Sequence, residues 1–445
     1  MKVGLMSVGF PNFRYDIGEK FLKQSIEKIK NDDYELIYND SILIYEEGII
    51  NQLNEFKNKQ VDLLILQCGT YSYGSIMNNI INEFRETPLL LWGFREPVVE
   101  GFRGLPLNSL CALNMFGSFL KKAEKRYAYV YGDVDEASVY EKVFNTIKGV
   151  KVKKALSHSV FCIIGGRVPG FYLSNVDELR LRYEIGTEIK HYSIASLLDY
   201  CQKIDQKRVN DEVEKIKNEV ALITTTHEMI EKGARIFLAI KDFKEINHID
   251  AFTIKCWPEF QSLFGCSVCG VVSRLNNEGI MTSCEGDVSG LLTMYIQYLI
   301  TKEPCFFVDF VNVNDKGIGK VWHCGPAPIC MTRDASSTKY TEHPTIKQGM
   351  GFATEFLMRQ GRLMMIKISE GQERYRLFLT KGTGVDEDRD LNGNQADILF
   401  DSDPNHVIDT IMNHGIEHHY AIVYQDIEKE LIEVCRWLNI DIIKA

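Results

Sequence analysis

The sequence predicts an α/β protein: two Rossmann-like doubly wound domains followed by a mostly β C-terminal domain. Three observations predict it. Strand and helix patterns alternate through residues 1–304. Several strands are unbroken apolar runs, as in VDLLILQCG and PLLLWGF, the mark of strands buried on both faces of a parallel sheet. After Thr301 the texture changes to β-rich segments separated by turns. The expected domains are 1–150, 151–304 and 305–445.

Each element follows from its pattern. KVGLMSVGF, ELIYND, VDLLILQCG, PLLLWGF and YAYVYGD read as strands. GEKFLKQSIEKIKN, EGIINQLNEFKNK and NSLCALNMFGSFLKKAEK read as the helices between them. A second series opens with VFCIIGGRVPGFY, a strand running into a glycine-rich turn, and VDELRLRYEIG, a helix ending at Gly186. IKHYSI and DAFTIKCW are strands, DQKRVNDEVEKIKNE a solvated helix, and EMIEKGARIFLAIKDFKEINH a long one. CFFVDFVNV, GKVWHCG, RLMMIKISEG and ERYRLFLTKG are strands, and YAIVYQDIEKELIEVCRWLNIDII closes with strand, helix and strand.

The 445 residues are 45% hydrophobic and 25% charged, as in an average soluble globular protein. A net charge of −10 without a basic stripe argues against a nucleic-acid partner. No apolar run approaches the roughly 18–20 residues that cross a bilayer, so no membrane partner is expected. MKVGLMSVGF has no signal-peptide pattern, and twelve cysteines lie scattered among apolar neighbours. Together these give the expectation of a cytoplasmic protein with reduced, buried thiols.

Two motifs have bland readings. GGRVPGFY at 165–172 lies between strand and helix, but it lacks the GxGxxG spacing and Pro169 removes a donor, so a tight turn is expected in place of a nucleotide cradle. CSVC at 266–269 has zinc-knuckle spacing without a second close pair; buried thiols on one face of an apolar helix are expected.

The acids and histidines after residue 280 carry more chemistry. Glu285 and Asp287 in TSCEGDVSG sit between apolar segments, where an unpaired carboxylate costs several kcal/mol. Asp287 suits a helix N-cap. Asp309 interrupts the apolar strand CFFVDFVNV, His323 ends another in VWHCGPAP, and His414, His418 and His419 precede YAIVY. Two interior carboxylates with one or two histidines match the ligand set of Mn²⁺ or a similar divalent ion.

These residues also carry a family resemblance. KCWPEFQSLFGCSVCGVVSRLNNEGIMTSCEGDVSGLLTM, FFVDFVNV, VWHCGPAP and GIEHHYAIVYQDIEKEL resemble, in order and spacing, the L-fucose/L-arabinose isomerase group of sugar isomerases over about residues 251–445. LLLWGFREP, LNSLCALNMFG and GGRVPGFY are similar to N-terminal segments of that group. The resemblance implies a divalent metal, most commonly Mn²⁺, held by Glu285, Asp309 and His419, with His418 one register step away and His323 as an additional ligand. It implies aldose–ketose interconversion of a monosaccharide (fucose, arabinose or a modified hexose such as sulfoquinovose) through a cis-enediol, with Glu285 and Asp309 as the acid/base pair. It also implies a homo-oligomer, a hexamer favoured, with active sites between subunits. Trp92, Arg95, Asn108 and Asn114 in the first domain, and Arg167, Lys255, Trp257 and Glu259 in the second, are the candidate sugar contacts. The alternatives are a non-catalytic sugar-binding protein, which leaves Glu285, Asp309 and His419 unexplained, and an NAD-dependent enzyme, which lacks its glycine fingerprint.

Overall fold

The computed structural model describes residues 1–345, 350–386 and 391–445. They form two compact units: Met1–Lys154 with Lys429–Trp437, and Ala155–Glu428 with Leu438–Ala445.

The first unit is built on β1 (Lys2–Val8), β2 (Glu35–Tyr38), β3 (Leu63–Cys68), β4 (Leu89–Phe94) and β5 (Ala128–Gly132). All are parallel, in the order β2-β1-β3-β4-β5. Every residue of β3 and β4 is buried, because helices cover both faces of the sheet. Val3, Leu5, Ile65 and Trp92 feed the core on one face, and Met6, Val8, Leu64 and Leu91 the core on the other. The helix Ala137–Ser157 has no counterpart in the sequence reading. Its GVKVKK stretch alternates like a strand, yet Val150 and Val152 are both buried in the helical conformation. Tertiary burial has overridden local pattern there.

In the second unit, β6 (Val160–Ile164), β7 (Glu188–Tyr192), β9 (Ala251–Ile254) and β10 (Thr282–Cys284) make a parallel sheet in the order β10-β9-β6-β7. Three adjacent strands therefore end together: β6 at the GGRVPG turn, β9 before Lys255 and β10 before Glu285. Carboxyl ends of neighbouring parallel strands are where such sheets place ligands.

The C-terminal region is largely β. It contains β11 (Phe306–Val313), β12 (Gly319–His323), β15 (Gly361–Glu370), β16 (Tyr375–Val385), β17 (Asn394–Phe400), β18 (His419–Val423) and β19 (Asp441–Lys444). Six of these pair antiparallel in the ring β15-β18-β11-β12-β17-β16, which the β15–β16 hairpin closes, and β19 adds parallel to β16. Closure leaves fewer exposed edges. A small sheet joins β8 (Leu222–Ile223) to β13 (Lys339–Thr341) and β14 (Ala353–Glu355). The segments on either side of residue 304 thus share a sheet.

Two readings change. Cys266 lies in the loop after Gly265 while Cys269 opens the helix Cys269–Asn277, so the CSVC thiols do not share a helix face. The helix Gln206–Glu219 is not wholly solvated: Glu212 is 3% exposed. Arg274, also 3% exposed, explains it, donating to Glu212 Oε1 at 2.6 Å and to Glu219 at 2.7 and 2.8 Å. The Tyr340 hydroxyl donates to Glu219 at 2.7 Å, tying β13 to the same cluster. Removing one partner from a buried ion pair strands the other charge. Arg274→Met is therefore expected to lower stability by about 3 kcal/mol, read as a fall in urea midpoint. Adding Glu212→Gln should restore part of the loss; an unchanged midpoint for the single variant would refute the account.

Candidate active site

The site is assembled by a tight turn. β10 ends at Cys284, Glu285 takes φ +64°, and Gly286 takes φ +73°. Asp287 then caps the helix Val288–Thr301, its Oδ1 accepting the Gly290 N–H at 2.8 Å. A Cβ on Gly286 would stand 2.4 Å from Gly166 O and 2.8 Å from Arg167 Cα. Only glycine lets the two turns approach so closely. A left-handed glutamate is uncommon, and such backbone concentrates at functional sites.

Three strands bring charged side chains to this turn. Asp309 on β11 and His419, the first residue of β18, are direct cross-strand partners. His419 Nδ1 lies 2.9 Å from Asp287 Oδ2, and Nε2 lies 3.0 Å from Glu285 Oε2 and 3.7 Å from Asp309 Oδ1. Lys367 on β15, wholly buried, donates to Asp287 Oδ2 at 3.1 Å. Trp257 Nε1 donates to Glu285 Oε1 at 3.1 Å. Phe307 packs on the His419 ring at 4.6 Å between centroids. Phe171 meets both Trp257 and His418 edge to face.

The electrostatics follow from that geometry. Burial alone would strip the proton from His419, but hydrogen bonds to Asp287 and Glu285 outweigh it and push the imidazole up to about 9. Burial likewise opposes ionisation of Asp287, yet Lys367 and His419 together hold it well below the usual carboxylate range. Glu285 is also lowered: burial works against it and is overcome by His419, His323 and the Trp257 N–H. Burial, then the neighbouring His419 charge, lowers His418.

Donor atoms of Asp309, His323 and His419 lie within 4.8 Å of one another, as do those of Glu285, His418 and His419. His419 belongs to both groups. Asp309 Oδ1 is buried without a hydrogen-bond partner among the described residues. A cation would satisfy it, and two carboxylates with imidazoles are a donor set that hard-to-borderline divalent ions accept. With Nδ1 fixed by Asp287, His419 presents Nε2 to the acids, the orientation second-layer carboxylates impose on metal-ligating histidines.

The remaining expected residues divide. Trp257 lies at the site; Lys255 and Glu259 form an ion pair at the end of β9. Arg167 stacks its guanidinium 4.5 Å from the Tyr172 ring and donates to Val168 O. Trp92 is a correction. It is fully buried in the first unit's core against Phe94 and Tyr140, so a sugar does not reach it there. Arg95 pairs with Asp133 and Glu136, Asn108 precedes the helix Ser109–Lys122 with φ +55°, and Asn114 is exposed on that helix. The sequence reading missed Lys367, whose signal was a lysine inside the apolar strand MMIKI.

Models of known families match two stretches: the L-arabinose isomerase central domain over residues 173–300, and the L-fucose isomerase C-terminal domain over 321–445. A sulfoquinovose isomerase of Priestia megaterium (strain ATCC 12872 / QMB1551) is 27% identical over 436 residues, covering 98% of this chain and 97% of its own. Those of Alkalicoccus urumqiensis and Clostridium sp. (strain MSTE9) are 28% and 25% identical, covering 86% and 99% of this chain and 86% and 98% of their own. Among solved structures, an Agrobacterium vitis solute binding protein with bound D-fucose aligns to 68% of this chain and 91% of its own at 12% identity; its TM-score of 0.16 is too low to bear on the fold. With both family models matching in order, and relatives aligned along nearly the whole chain, this chain belongs to the L-fucose/L-arabinose isomerase family of sugar isomerases.

Proposed function

We propose that the chain is a metal-dependent aldose–ketose isomerase whose substrate is a 6-sulfonated hexose, sulfoquinovose. The observation that carries the metal-dependent reading is the meeting of two donor triads at His419, Asp309 with His323 on one side and Glu285 with His418 on the other. The substrate is carried over from the relatives named sulfoquinovose isomerase.

Glu285, Asp309 and His419, with His323, hold a divalent ion, Mn²⁺ being the best match to the donor set. When bound, such an ion polarises the sugar carbonyl and orients the two oxygens that exchange roles. Glu285 and Asp309 move the proton between C1 and C2 through a cis-enediol, one as base and the other as acid, reversing for the opposite direction. Asp287 keeps the His419 ring oriented, and Lys367 keeps Asp287 ionised. Trp257 holds one Glu285 oxygen, fixing where the other points.

Arg167 is the proposed partner of the sulfonate. Its backbone abuts the Glu285–Asp287 turn, and its charge is not spent on an acid in any ion pair described, unlike Arg95 and Lys255. Lys255 and Glu259 line the same strand end, and Asn108 and Asn114 keep their proposed role as contacts from the first unit. We keep the proposed domains at 1–150, 151–304 and 305–445, and the homo-oligomer, a hexamer favoured, with shared active sites. Exposed Val98, Phe102 and Leu105 in one unit and Tyr172, Leu179 and Tyr183 in the other are apolar surface of the kind subunits cover. Twelve cysteines, none in a disulfide, suit a reducing cytoplasm.

Three outcomes are expected. Glu285→Gln and Asp309→Asn should each lower kcat about 10²–10⁴-fold in product NMR with added Mn²⁺, and EDTA should abolish wild-type turnover; near-normal turnover in either variant refutes the acid/base assignment. Arg167→Met should raise KM for sulfoquinovose at least tenfold while leaving any turnover of an uncharged hexose unchanged; equal effects on both would remove Arg167 from sulfonate recognition. Light scattering should give a mass several times that of one chain, and a monomer would defeat the shared-site arrangement.

A further inference from the structure

The isomerase reading leaves CSVC unused, and its second cysteine has found partners far along the chain. Cys269 opens the helix Cys269–Asn277, and Cys324 follows His323 at the end of β12. Their Sγ atoms are 3.5 Å apart. Ligand atoms of Cys269, Cys324 and His343 all lie within 4.8 Å of one another. Cys269 and His343 are buried and Cys324 is half-buried, so the cluster is enclosed.

We infer that Cys269, Cys324 and His343 form a second metal site, distinct from the carboxylate site and selective for a softer ion, zinc. Two Zn–S bonds of about 2.3 Å at a tetrahedral angle span roughly 3.8 Å, so the thiols need open only slightly. They are well beyond the roughly 2.05 Å of a disulfide. Thiolates with imidazole favour zinc, whereas the acids around His419 favour harder ions, so the two donor sets sort metals by softness. Binding releases the two thiol protons to solvent, with water completing the four ligands. His343 Nδ1 accepts the Thr345 N–H at 3.2 Å. His323 Nδ1 lies 3.2 Å from Cys324 Sγ, so an ion on Cys324 would also restrain the His323 ring.

The test is cobalt substitution of the full-length protein with Mn²⁺ present. Wild type should develop a thiolate-to-cobalt charge-transfer band in the near ultraviolet, and zinc should bleach it. The band should vanish in Cys269→Ser and in Cys324→Ser, and survive in Cys266→Ser, the buried neighbour in the same motif. It should also survive in Glu285→Gln, which separates this site from the isomerase centre. His343→Ala should weaken zinc at least tenfold in equilibrium dialysis. A wild-type protein with no such band overturns the site even if a serine variant fails to fold. So does a band that persists in both serine variants, or a Cys269–Cys324 disulfide found by thiol titration of the native protein.

Discussion

The buried contact between Asp287 and His419 is the constraint on which the site depends. One carboxylate does three things: it caps the helix Val288–Thr301, accepts from Lys367, and holds His419 Nδ1. Alone, any of these groups would be expensive in the interior; truncating one member of such a set costs roughly 3–5 kcal/mol because the others lose their compensation. The network therefore fixes register as well as charge. Sliding β18 by one residue would turn His419 away from Asp309 and leave Asp287 without its imidazole partner.

That network also explains why Glu285 tolerates a left-handed backbone. The turn is pinned on both sides, by the helix that Asp287 caps and by the GGR turn that presses on Gly286. Gly165 and Gly166 take φ +85° and +77°, as a tight strand-to-helix turn requires. A glycine-rich turn after a parallel strand invites a phosphate reading. Here its backbone is committed to supporting a neighbouring turn, and Pro169 would spoil the cradle in any case.

Much of this was legible in the sequence, for physical reasons that also mark the limits. Buried parallel strands such as LLILQC declare themselves because both faces are apolar. Glu285, Asp309 and His419 stand out because charge in an apolar context demands an explanation. Lys367 gave the same signal in MMIKI and was passed over. The helix Pro404–His414 carries an Asp403 cap, proline at its first position and Gly415 at its end, all readable and unread. Trp92 shows the opposite limit: WGF at a strand end suits a sugar contact or a core, and only packing decides. The three-residue β10 is too short for any period to show.

Cys269, Cys324 and His343 mark where sequence reasoning stops in principle. A zinc knuckle is sought as two close pairs, but here 55 residues separate the cysteines, and Cys266, the motif's other member, bonds elsewhere, to backbone carbonyls. What joins them is topology. The helix that Cys269 opens packs against the small β8-β13-β14 sheet, and β12 delivers Cys324 beside it. The same strand end delivers His323 to the acids one residue earlier, so hard and soft donors sit back to back along two adjacent residues. A chain that binds a weakly held, hard ion at its catalytic point risks capture of that point by more tightly binding ions such as zinc. In the metal-dependent isomerase proposed above, thiols placed one residue away would offer those ions a better set of donors than carboxylates can, and leave the acids to the hard cation.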